Sequence, residues 1–295
     1  MKKRFIPVFT ALALTGLVAC GSSDNGLVKN GVAYKDGDAA KTSETVRQSV
    51  EGKVKRVTEK LSMKATTTAK YGDTKESAKE NANGTFVYDL EEATVDGTYS
   101  DSMTSSGKTQ KNTAKFKAKQ QADGSFTFSE NNAADTFNEE TVAAMYLSAS
   151  TSIYAWNFTM DLESLMAAVS AAGSAAVAGT DLTSFAGAFG ELATKLVIDG
   201  DATTGTFEVG LKEEYNLNLD LSSMLEGLED SETTSMISLL GLTELPMTIY
   251  KMKYVYKDGL LRSEVAGVKL KMDMLGMVME MKADSTTTYS YEMKK

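Results

Sequence analysis

Histidine is absent from this 295-residue chain, which has one Cys and two Pro. Without His, the chain lacks the most common general base and the most common metal ligand. A single Cys excludes internal disulfides and Cys-rich zinc sites. There is no Gly-x-Ser-x-Gly elbow, no Gly-rich phosphate loop and no dinucleotide fingerprint. No apolar run reaches the roughly 20 residues a membrane-spanning helix needs. What is present is ordinary for a globular protein, with 42% apolar and 24% charged residues. The length suits one large domain or two small ones. Forty acidic against 31 basic side chains give a net charge of −9, which disfavours nucleic acid and an anionic membrane surface as partners.

The first twenty residues have their own grammar. Lys2, Lys3 and Arg4 precede the mostly apolar stretch from Phe5 to Gly16. Its length fits the hydrophobic region of a secretory signal. Leu17-Val18-Ala19-Cys20 follows, then the polar Gly21-Ser22-Ser23-Asp24. This run resembles the bacterial lipobox. The resemblance implies that residues 1–19 are a lipoprotein signal peptide and that the thiol of Cys20 receives a diacylglycerol before cleavage. The expected partner is therefore a membrane, held through the acylated Cys20 on its outer side. Gly21 after the cysteine implies the outer membrane in a host with two membranes. Loss of the three basic leader residues leaves 28 against 40, a mature charge of −12.

Residues 20–41 read as the acylated cysteine and a flexible Gly-rich tether. Val46, Val50, Val54, Val57 and Leu61 recur at helical spacing and predict an N-terminal helix over 42–61. From 62 to about 130 the period falls to two, as at Phe86/Tyr88, Phe116/Ala118 and Phe126/Phe128. Turn pairs at Asn83-Gly84, Asp96-Gly97, Ser106-Gly107 and Asp123-Gly124 predict an antiparallel meander with one wet face. Residues 135–200 read as mostly helical, with Asn138, Asp161 and Asp181 as caps. Leu182, Phe185, Phe189, Leu192 and Leu196 share a face of the last of these helices, and Trp156 and Phe158 suggest a short strand. Alternation returns over 203–221, with Lys212-Glu213-Glu214 as a turn, and 222–242 again suggests helix. Beyond Pro246, four or five strands are expected, with a hairpin turn at Asp258-Gly259.

This order of helix, meander, helical insertion around 138–198 and further meander resembles the LolA/LolB/LppX-type lipoprotein fold. The resemblance implies an α+β fold over 42–295: one large, strongly curved antiparallel sheet, a half-barrel with the N-terminal helix and the inserted helices on its concave side. The hollow of such a fold can hold acyl chains. An extracytoplasmic, non-enzymatic lipoprotein that binds or carries a hydrophobic ligand such as a lipid is therefore the expected function. A surface interaction module without ligand is the alternative, and an extracytoplasmic hydrolase a third reading.

Eight of the 16 Met residues lie from Met247 onward. Thioether side chains are flexible and polarizable, so a Met-lined wall adapts to irregular ligands. The expected ligand surface comprises Tyr250, Met252, Tyr254, Val268, Leu270, Met272, Met274, Met277, Met279 and Met281. Packed core is the bland reading of the same residues. The small-residue stretch 164–180 suggests a mobile cover or a loosely packed helical hairpin. Asp199, Asp201 and Thr203 begin like a calcium loop, but Thr204 and Gly210 stand where Gly and Glu belong, so no metal is expected. Glu91-Glu92, Glu139-Glu140 and Glu213-Glu214 are neighbours that on a strand point apart, so none can flank a scissile bond alone. Ser105-Ser106-Gly107-Lys108 has Ser-x-x-Lys spacing but falls in a predicted turn. No catalytic residue and no cofactor are expected.

Overall fold

The structure is a computed structural model that describes residues 31–33, 45–134, 136–154, 192, 194–201, 204–220, 244–274 and 277–295. Cys20, its leader, the 164–180 stretch, Trp156, Phe158, the Asp161 and Asp181 caps and the 222–242 segment lie outside the described residues. Among the described residues, twelve strands form one curved, unclosed antiparallel sheet. They are β1 (Val32–Ala33), β2 (Val54–Tyr71), β3 (Thr74–Asp89), β4 (Thr94–Ser105), β5 (Lys108–Gln120), β6 (Phe126–Asn131), β7 (Leu196–Asp201), β8 (Thr206–Leu211), β9 (Tyr215–Asp220), β10 (Glu244–Lys257), β11 (Leu260–Met274) and β12 (Met277–Met293). Their order across the sheet is β1-β7-β8-β10-β11-β12-β2-β3-β4-β5-β6, with β9 also on β10. The last strand thus lies between β11 and β2 at the centre of the sheet.

Turn chemistry sets the hairpins. Asp258 and Gly259, at φ 56° and 76°, link β10 to β11, and Ser106 and Gly107, at 49° and 74°, link β4 to β5. Positive φ at both central residues matches the twist of the flanking strands. Between β3 and β4, Asp89 accepts from the amides of Glu91 and Glu92 at 3.1 and 3.0 Å, closing an Asx turn.

Two expected turns are strand interior instead. Gly84 lies in β3 and Gly97 in β4, opposite Tyr99 and Phe86 respectively. A Cβ on Gly84 would lie 2.6 Å from the Phe86 ring, and one on Gly97 2.2 Å from the Phe116 ring. These glycines make room for aromatic rings rather than for a reversal. The predicted N-terminal helix is also shorter. Its described part, α1, covers 45–50; the chain turns at Gly52 and enters β2 at Val54. The 212–214 stretch does not reverse the chain, because β8 and β9 both run antiparallel to β10. Leu196 opens β7 rather than extending a helix, and the strands expected after Met277 are one 17-residue strand, β12. Within the expected tether, Val32 and Ala33 pair with Ile198 and Val197.

One face of the sheet carries the core and is called the inner face. Around β2–β6, Val57, Phe86, Tyr88, Val95 and Phe116 pack with Val142, Met145 and Ala149 of α2 (Glu139–Thr151). Asn138 caps α2 as expected, accepting from the amide of Thr141 at 2.9 Å. Around β7–β11, Phe207, Val209, Leu211, Met252, Tyr256 and Leu261 form a second cluster. Tyr289 of β12 packs against both clusters.

Candidate functional site

The inner face of β10, β11, β12 and β2 is the candidate site. Registration stacks its apolar side chains in rows: Met247, Leu270, Met281 and Thr67 form one, and Met272, Met279 and Ala69 the next. Nearer the middle, Val268, Ala283 and Ala65 align, then Met252, Ala266, Ser285, Met63 and Ala82. Small side chains floor the middle of this strip, and thioethers line one end of it. Met252 is 2% exposed, Leu270 5% and Met272 9%, whereas Met277, Met279, Met281 and Val268 keep part of their surface. Met274 pairs with Met277.

One expected member belongs elsewhere. Met252 and Tyr254 do point inward, but a β-bulge between Ile249 and Lys251 turns Tyr250 to the other side. There its ring lies 4.8 Å from both the Lys269 and the Lys282 ammonium groups, and its hydroxyl donates to the Ala283 carbonyl at 3.3 Å. Two missed acids interrupt the inner face instead. Glu59 of β2 stands opposite Tyr289 of β12, and Glu264 of β11 opposite Thr287 of the same strand. Tyr88 donates its hydroxyl to Glu59 at 2.9 Å, and Tyr289 donates to Glu264 at 2.9 Å. Tyr291 donates to the Leu261 carbonyl, and the Arg262 guanidinium lies 5.1 Å from the Tyr291 ring centre.

Neither carboxyl group has an ion-pair partner among the described residues. Their residues retain some accessible surface, yet the acid groups themselves are packed round by protein. Burial pushes Glu59 up to about 7 against the opposing effect of the Tyr88 hydrogen bond. Burial pushes Glu264 up to about 8, opposed by Tyr289 and reinforced by the charge of Glu59. Burial, then the neighbouring carboxylate, raises Tyr88 and Tyr289 well above the usual phenol range. Both acids are lifted together. The signal for these residues was one charge in the apolar phase of an alternating strand: Val57-Glu59-Leu61 and Glu264-Ala266-Val268.

The other motifs resolve as scaffold. Ser105 to Lys108 is the β4–β5 turn with Ser105 paired to Lys108. Glu139 accepts from the Phe126 amide at 3.2 Å, and Glu213 pairs with Lys195 at 2.8 Å. No group of acids among the described residues is arranged to hold a metal ion. Among the described residues, an open depression of about 520 Å³ lies by Gly84, Thr98, Tyr99 and Lys115, away from the methionine strip.

No protein family matches the chain, and no curated protein does. A DUF1329 family protein from Desulfovibrio piger aligns over 86% of this chain and 92% of its own, at 6% identity and a TM-score of 0.17. A β-barrel-like DUF1849 domain from Brucella abortus aligns over 81% and 99%, at 10% identity and 0.19. A domain named for outer membrane lipoprotein sorting, from Vibrio parahaemolyticus, aligns over 86% and 92%, at 7% identity and 0.14. Superpositions this loose carry no argument about this chain. No helix among the described residues is long and apolar enough to cross a membrane.

Proposed function

We propose that this chain is a non-enzymatic envelope lipoprotein, anchored through Cys20, whose curved sheet binds a hydrophobic ligand such as a lipid on its inner face. The observation that carries the reading is the methionine strip with its alanine floor. Met279 and Met281 of β12 lie beside Met272 and Leu270 of β11, and Ala65, Ala82, Ala266 and Ala283 keep the adjoining floor low. Flexible thioethers beside a low floor suit an occupant of variable shape. Each methylene moved there from water contributes about 0.8 kcal/mol. The lipobox-like leader supports export, and an acyl group on Cys20 would hold the domain at the outer side of a membrane.

The test is native mass spectrometry of residues 21–295 purified without detergent, followed by lipid extraction. A stoichiometric co-purified lipid supports the carrier and identifies its substrate class. An apo mass that stays unchanged after incubation with lipid vesicles sinks it. The second reading, an interaction module without ligand, draws on the position of the open depression off the methionine strip.

A further inference from the structure

The face of β2–β5 opposite the core has a charge that the whole chain conceals. Strand alternation sends Lys60, Lys64 and Lys70 of β2 and Lys75 and Lys79 of β3 to that face, along with four lysines of β5 from Lys111 to Lys119. All of them are exposed. The acids there are Asp96 and Asp89, and Asp89 is already paired with Arg56 at 2.7 Å. Lys117 reaches Asp96 at 3.8 Å and Lys115 reaches Glu130 at 3.1 Å. The remaining lysines have no ion-pair partner among the described residues. Between them stand hydroxyls, such as Thr104 and Thr109, bonded across strands at 2.9 Å. The acids of β3 and β4 further along, Glu76, Glu80 and Asp101, fall on the inner-face phase.

We propose that this lysine-studded outer face of β2–β5 docks the protein flat on an anionic lipid surface. The chain is acidic at −9, so the excess of lysine here is segregation and not a reflection of composition. The cations are spread over a field four strands wide, about 14 Å between its outer strand axes, and about 40 Å long. A two-dimensional array of charge matches a plane of headgroups; a linear polyanion would need a single track or groove. The depression by Thr98 and Lys115 lies within this array, but it is open and lined by hydroxyl and amide side chains, so among the described residues no enclosed pocket there reads a specific headgroup. The expectation from net charge that an anionic membrane repels the chain is thereby reversed for this face alone. Juxtamembrane lysines attract anionic leaflets additively, and salt screens the attraction. The inference rests on side-chain placement, independent of any lipid on Cys20 or any ligand on the inner face.

The test uses the full chain with Cys20→Ser, so that no acyl group contributes, in co-sedimentation with vesicles of phosphatidylcholine alone or mixed with phosphatidylglycerol. Binding to the anionic vesicles should exceed binding to neutral ones and fall steeply as salt rises. The quadruple variant Lys64→Gln, Lys75→Gln, Lys79→Gln and Lys111→Gln should lose at least about tenfold in partitioning to anionic vesicles. A control variant, Lys212→Gln, Lys257→Gln, Lys294→Gln and Lys295→Gln, removes the same charge from other positions and should lose much less. Equal losses from the two variants would reduce the effect to net charge and overturn the proposal. Equal binding of wild type to neutral and anionic vesicles would also overturn it. Capture on immobilised polyphosphate without any capture on anionic vesicles would do so too, by reassigning the face to a linear polyanion.

Discussion

Glu59 and Glu264 are the residues with the most to lose from their surroundings. Among the described residues, each is offered one phenol hydroxyl and no cation. Their folded values of about 7 and about 8 lie above the ordinary 4.5. The folded state therefore binds protons that the unfolded chain has released. The sign follows: below about pH 4.5 both states are protonated and no penalty exists, and the penalty grows as pH rises through 8. It should reach roughly 2–3 kcal/mol per group, allowing for the solvent that reaches them. Denaturant titrations at pH 5 and pH 9 should show the protein less stable at the higher value. Glu59→Gln with Glu264→Gln keeps the shape and removes the charge, so it should flatten that dependence. A parent protein equally stable at both pH values would refute the placement of the acids. Gly97 makes a purely steric case. Gly97→Ala puts a Cβ 2.2 Å from the Phe116 ring and should cost about 1–3 kcal/mol by overpacking. A thermal midpoint within a degree of the parent would contradict it.

Elements were legible where local chemistry decided them. Asn138, the type I′ turn at Asp258-Gly259 and the alternation of β2–β6 all follow from neighbours in sequence. Asn138→Ala should cost about 1 kcal/mol by freeing the Thr141 amide, with loss of helical signal confined to α2 and the sheet signal unchanged. A variant as stable as the parent would show that α2 is held by its packing alone. Bulges account for two misread features. At the start of β2 the register slips between Glu292 and Met293, so Val54 and Val57 are both buried although three residues apart. That spacing, running on from Val46 and Val50, imitates a helical stripe and hides the turn at Gly52. On β10 the slip between Ile249 and Lys251 moves Tyr250 off the face of Met252. A bulge is fixed by the partner strand, so periodicity within one strand cannot reveal it. Glycines 84 and 97 failed for a related reason: their purpose is a ring on another residue, two places along the strand for Phe86 and across to the next strand for Phe116.

At the scale of the molecule, the candidate site was legible as a stripe but not as a surface. The sequence placed Met272, Met279 and Met281 on alternating strands. Only the pairing of β12 between β11 and β2 sets them side by side and puts Ala65 and Ala283 next to them. Burial then separates two kinds of methionine that sequence treats alike. Met252 is 2% exposed within the β7–β11 cluster, so Met252→Ala leaves a cavity and should cost about 2–5 kcal/mol. Met279 and Met281 keep part of their surface and belong to neither cluster. Met279→Ala with Met281→Ala should therefore cost under about 2 kcal/mol, since incompletely buried side chains forfeit less transfer energy. If a lipid lies on this strip, the double variant should retain severalfold less of it on extraction, with its denaturation midpoint near that of the parent. Retention unchanged in the double variant would move the ligand off the strip. Cooperative unfolding of the double variant, as severe as for Met252→Ala, would assign all three methionines to packing and leave the inner face as core.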